Sequence, residues 1–180
     1  MTTTIQDSKS KRTLYFAIGF TVAFMLYITF ALNPAGSCFK VEAGPNSLGL
    51  SFSYTKDMVQ SFFESRSQEQ LTCYSQFLQI WDAIFAIIYT LMYASWIMCL
   101  FNKKRLLTLI PVFGMISDWS ENYIELLMIK TYLNSGPISE IFVSLGSRIN
   151  SFKWILSSLT YLIILVGIII AIRNFLTKPK

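Results

Sequence analysis

Apolar and polar positions along this chain fall into long blocks. From Thr13 to Leu32 the sequence is uncharged, and a run of about 20 such residues is what a helix needs to cross a hydrocarbon core of about 30 Å. A second uncharged block runs from Ala83 to Phe101 with Asp82 at its rim. Ahead of it, Ser67-Gln-Glu-Gln70 matches a capping box, so the helix is expected to start there and to extend this span by about three turns. A third block, Leu106 to about Tyr132, lies between the basic turn Asn102-Lys103-Lys104-Arg105 and the breaker Asn134-Ser-Gly-Pro-Ile-Ser139. The fourth helix starts near Pro137 or Ser139 and is most apolar from Phe152 to Ile172. The pattern predicts an all-α integral membrane protein, a four-transmembrane-helix bundle in one domain over 1–180, with spans about 13–32, 80–101, 106–132 and 150–172.

Between the first two blocks lies the only sizeable region outside the spans, 33–70. Its start, with Asn33-Pro34-Ala35-Gly36 and Gly44-Pro45-Asn46, reads as irregular. From Thr55 to Glu64, Met58, Val59, Phe62 and Phe63 fall at helical spacing opposite Lys56, Asp57, Gln60 and Glu64, which predicts a short helix capping the bundle. Ala35-Gly36-Ser37-Cys38 loosely resembles a lipoprotein cleavage site. The preceding apolar run is longer than the roughly 7–15 residues of a signal h-region, which argues for a retained span.

Charge adds orientation. Lys9, Lys11 and Arg12 precede the first span, Lys103, Lys104 and Arg105 join the second to the third, and Arg173, Lys178 and Lys180 follow the fourth. The positive-inside rule then puts both termini in the cytoplasm and makes 33–70 extracytoplasmic, in a multi-pass protein of the plasma (bacterial inner) membrane. The net charge of +5 sits in these clusters and not on a continuous basic face, so membrane lipids, and no nucleic acid, are the expected partners. A protein partner or a homo-oligomer is compatible with the pattern.

Composition narrows the chemistry. Hydrophobic residues make up 53% and charged residues 14%, with a mean hydropathy of +0.50; soluble chains carry about a quarter charged residues. The absence of histidine removes the commonest metal ligand and the usual general base near neutral pH. Cys38, Cys73 and Cys99 form no Cys-x-x-Cys, so neither a metal site nor a cofactor is expected. Cys38 and Cys73 both fall on the outer side, which allows a disulfide between them.

Within the third block Asp118, Glu121, Asn122 and Glu125 stand at i, i+3, i+4 and i+7, one stripe of a helix. Ionisable groups inside a membrane face protein or trapped water and mark a site by default. At 1.5 Å per residue, Asp82, Glu125 and Lys153 share one level, about 28 Å from the cytoplasmic ends, while Tyr89, Asp118 and Thr160 lie about 18 Å up. Asp82, Tyr89 and Tyr93 share a stripe on the second span; Asn150, Lys153, Ser157, Thr160 and Tyr161 share one on the fourth. The expectation is a polar core of Asp82, Tyr89, Asp118, Glu121, Asn122, Glu125 and Lys153. Four carboxylates face one ammonium there, so at least one acid is expected to be protonated or cation-bound, and Asp118, the deepest, is expected to be the neutral one.

Three functions fit. The first is binding of a cation, a proton or an amine-bearing small molecule at the acidic cluster. In the second the protein is a non-catalytic membrane subunit whose cluster only fixes helix register. In the third it is an intramembrane enzyme on a lipid-like substrate, for which no histidine-activated nucleophile is at hand.

Overall fold

The computed structural model describes residues 2–42, 46–101 and 104–177, with side chains from residue 12 onward. Gly44, Pro45, Asn102, Lys103, Lys178 and Lys180, named above in turns and charge clusters, lie outside the described residues. Helices are the only regular elements among those described. Helix α1, Thr2–Tyr27, runs on through a π turn, Ile28–Leu32, into α2, Asn33–Ala35, and a 3-10 turn, Gly36–Phe39. The irregular start expected at Asn33 is therefore helical. The reason is local: Asn33 N–H reaches back five residues to Ile28 O, and Pro34 falls in the first turn of α2, where its missing N–H costs nothing.

The short helix is α3, Lys56–Glu64, N-capped by Thr55, whose hydroxyl accepts from Met58 N–H. Val59, Phe62 and Phe63 are buried. The Phe63 ring packs on Tyr132, and the buried Arg66 guanidinium stacks on Phe62 while donating to Phe39 O and Phe62 O. The Ser67–Gln70 capping box is formed. Helix α4, Gln68–Gln76, continues through a π turn, Phe77–Asp82, into α5, Ala83–Leu100. Helix α6 is Leu109–Leu133, and α7 is one helix, Glu140–Leu176.

By length and composition three stretches could cross a membrane: Arg12–Phe39, Gln68–Leu100 and Glu140–Leu176. Helix α6, with 25 residues, is comparably long but holds Asp118, Glu121 and Glu125, which is why it does not rank with them as apolar. It lies along α7, α1 lies along α5, and α5 touches both α6 and α7. Gly167 of α7 makes room for the end of α5: a Cβ there would stand 2.7 Å from the Phe101 ring and 2.9 Å from Leu100. The main apolar core joins α3, α4 and the first turns of α7 to the end of α6, around Phe62, Phe63, Tyr74, Met128 and Ile129. By contrast the outward faces of α1 and α7 are apolar and exposed, with Tyr15, Phe30, Leu165 and Ile169 among the least covered.

Candidate site: a polar cluster and an aromatic cavity

The stripe on α6 points inward. Asp118, Glu121, Asn122 and Glu125 are all buried, whereas Trp119 and Tyr123 on the other face are exposed. From α7, Lys153 Nζ donates to Asp118 Oδ1 at 3.1 Å and Glu121 Oε2 at 2.5 Å, bridging two acids one turn apart. Its third proton points to Gly49 O at 3.4 Å. Tyr89 of α5 donates to Asp118 Oδ2 at 3.1 Å. Asp118, expected to be the acid without a cation, is therefore paired, because the four-carbon stem of Lys153 reaches past the level of its own Cα. Glu125 and Asp82 are the acids with no cation at ion-pair distance among the described residues.

Asp82 is placed by its π turn. A π turn lengthens the hydrogen-bond spacing by one residue and strands backbone carbonyls, which must find other donors. Here Tyr27 OH donates to Trp81 O at 2.8 Å, Trp119 Nε1 to Ala83 O at 3.1 Å and Asn122 Nδ2 to Leu78 O at 3.5 Å. Asn122 Nδ2 also donates to Asp82 Oδ2 at 2.8 Å. The same carboxamide thus holds the turn and aims the carboxylate.

A second turn closes the cluster from the loop side. The 3-10 turn Leu48–Leu50 brings Gly49 against the ion pair, where a Cβ would stand 3.2 Å from Lys153 Nζ and 3.3 Å from Glu121 Oε1. Helix α7 grips the segment by its carbonyls: Trp154 Nε1 donates to Gly49 O, Asn150 Nδ2 to Ser51 O and Ser151 Oγ to Phe52 O. On the other side, Tyr74 OH accepts from Leu48 N–H and donates to Glu125 Oε2 at 2.5 Å. Tyr54 is also buried, and burial pushes its phenol above the ordinary value, which keeps it a neutral hydroxyl. Cys38 and Cys73 are disulfide-bonded, tying the segment that follows α1 to α4. Cys99 is free.

Beside the cluster lies a cavity of about 420 Å³. Its walls are aromatic: Phe24, Phe39, Phe77, Phe85, Tyr89, Tyr93, Trp154 and Tyr161. Tyr93 and Tyr161 are hydrogen-bonded to each other across the α5–α7 gap. Asp82, Asp118, Asn122 and Lys153 reach the lining, as do Asn33, Lys40, Asn46 and Ser47. Of the residues expected at a site, Asp82, Tyr89, Asp118, Asn122 and Lys153 therefore meet at the cavity, while Glu121 and Glu125 stand behind its wall. Gly49, Tyr74 and Trp154 belong to the arrangement but were not among the expected site residues. Tyr74 precedes Asp82 by two turns, so extending that stripe backwards would have found it; no local signal marks Gly49. A cavity of this size with apolar walls and a few convergent polar groups suits a small organic molecule.

Comparison of the chain with protein-family models, with curated proteins and with solved structures finds no match.

Proposed function

We propose that the chain crosses the membrane four times, with α6 as the third crossing in chain order, and that its cavity binds a small lipophilic molecule carrying an amine, with Asp82 as counter-ion. Exposed apolar faces on α1 and α7 support membrane residence, and the basic clusters support cytoplasmic termini. The observation that carries the ligand class is Asp82. Its carboxylate lines an aromatic cavity and takes a hydrogen bond from Asn122, yet has no cation at ion-pair distance among the described residues. A half-buried carboxylate in that state, lining an aromatic cavity, draws a positive charge, and rings around it stabilise an alkylammonium through their π faces by about 0.5–2 kcal/mol. Lys153 does not compete, since it is taken up by Asp118 and Glu121.

That same saturation of Lys153 favours a second reading, in which the cluster fixes helix register and nothing binds. Thermal unfolding of the purified protein with a panel of lipophilic amines and their uncharged alcohol isosteres separates the two. Under the proposal amines raise the wild-type midpoint and alcohols do not, and Asp82→Asn purifies normally but loses the response. Equal shifts from amines and alcohols, or an amine response that survives in D82N, would overturn it.

A further inference from the structure

Behind the cavity wall, four polar side-chain atoms have no hydrogen-bond partner among the described residues: Tyr54 OH, Glu121 Oε1, Glu125 Oε1 and Asn150 Oδ1. Their residues are at most 4% exposed, and none of them lines the cavity. The two glutamates are four residues apart on the buried face of α6, the spacing that brings side chains of a helix next to one another. Tyr54 comes in from the loop side, near enough for both acids to act on its phenol, through the gap left by Gly146 on α7.

Each glutamate already uses one oxygen. Glu121 Oε2 is held by Lys153, and Glu125 Oε2 by Tyr74 OH. The remaining oxygens are both acceptors, and two ionised carboxylates offer no donor to join them. A buried acceptor left without a donor costs about 1–3 kcal/mol, more when charged. One hydrogen placed between the carboxyls satisfies both oxygens at once.

We propose that the Glu121–Glu125 pair is a proton-binding site distinct from the cavity, with one resident proton on Glu125 donated to Glu121 Oε1. Space and charge favour a proton over a metal ion or a water molecule. Neither glutamate lines the cavity, the Gly49 turn lies against Glu121 Oε1, and no cluster of three or more His, Cys, Asp or Glu suited to a metal occurs among the described residues. The proton belongs to Glu125 because Glu121 already has Lys153. The other titratable groups around the pair are Asp118 on α6, Lys153 on α7, Tyr74 on α4, Tyr54 on the loop segment and Asp82 on the π turn. Only Lys153 is cationic, and it also holds Asp118 at the cavity wall. Losing the proton would add a third carboxylate charge near the lysine, after those of Asp118 and Glu121, and loosen its hold on Asp118. The proposal does not depend on any ligand in the cavity.

Infrared spectroscopy of the purified full chain at neutral pH tests it without any amine. Wild type is expected to show the carbonyl stretch of a protonated carboxyl shielded from water, and the band should move when glutamate is isotope-labelled at its side-chain carboxyl. Glu125→Gln should purify at wild-type yield and lack the band, because an amide keeps the neutral shape, donates to Glu121 and still accepts from Tyr74. Asp82→Asn should retain it. The proposal fails if the wild type has no such band, if the band ignores the glutamate label, if it persists in E125Q, or if E125Q cannot be purified folded.

Discussion

Lys153 is the residue on which most of the buried charge depends. Its side chain is 13% exposed and those of Asp118 and Glu121 are 8% and 0% exposed, so neither acid has water to fall back on. Removing one partner of a buried pair leaves the other charge uncompensated and costs about 3–5 kcal/mol, whereas removing all partners together is often neutral. Lys153→Met should therefore lower the yield and the unfolding midpoint sharply. The triple change K153M, D118N and E121Q should recover most of that loss, as read by the monodisperse fraction and thermal unfolding in detergent. A triple variant no better than K153M would mean that the three side chains do not act as one unit. Asn122 shows the same economy on a smaller energy: one carboxamide serves both a stranded carbonyl and Asp82.

Among the elements, the two π turns and the Leu48–Leu50 turn do what regular helix cannot. The π turns, Ile28–Leu32 and Phe77–Asp82, meet each other beyond the ends of α1 and α5 that lie side by side. The second of them turns Asp82 toward the cavity. The segment that carries the Leu48–Leu50 turn is held at one end by the Cys38–Cys73 disulfide and along its length by α7 side chains. The bonded residues are 35 apart in sequence, and closing a loop of that size stabilises by roughly 3–4 kcal/mol in the chain-entropy model. Reduction, or Cys38→Ser with Cys73→Ser, is expected to lower the unfolding midpoint while the long helices keep their circular dichroism. An unchanged midpoint would mean that the hydrogen bonds from α7 and Tyr74 hold the segment unaided.

For the whole molecule the open question is parity. Three crossings put the termini on opposite sides of the membrane; four put them on the same side, with 33–70 opposite. The difference rests on α6, whose inward stripe is shielded by α5 and α7 and whose outward face, with Phe113, Ile116, Trp119 and Tyr123, is exposed. Such a helix can face lipid without presenting a charge to it. Cysteines introduced at Thr3, Gln68 and Thr177 in a Cys99→Ser background should show it: an impermeant thiol reagent labels position 68 in intact cells and the other two only after permeabilisation. Labelling of one terminus but not the other in intact cells would remove α6 from the membrane and the four-crossing reading with it.

Periodicity and charge along the chain were enough to place the helices, because a 3.6-residue repeat of apolar positions and the Ser67–Gln70 box are local properties. They also put the α6 acids on one stripe, since that follows from spacing alone. Which acid meets Lys153 was not readable: Cα levels set by 1.5 Å steps say nothing of how far a lysine stem reaches, and Asp118, taken as the neutral acid, shares Lys153 with Glu121. The Leu48–Leu50 turn was equally hidden, because a glycine in an irregular segment acquires meaning only from what packs against it; Tyr74 lies on the backward extension of the Asp82 stripe, but its bond to Glu125 is made only when α4 meets α6. Whether two neighbouring acceptors are left without a donor between them is settled by contacts distant in sequence, and those exist only once α4, α6, α7 and the loop have come together.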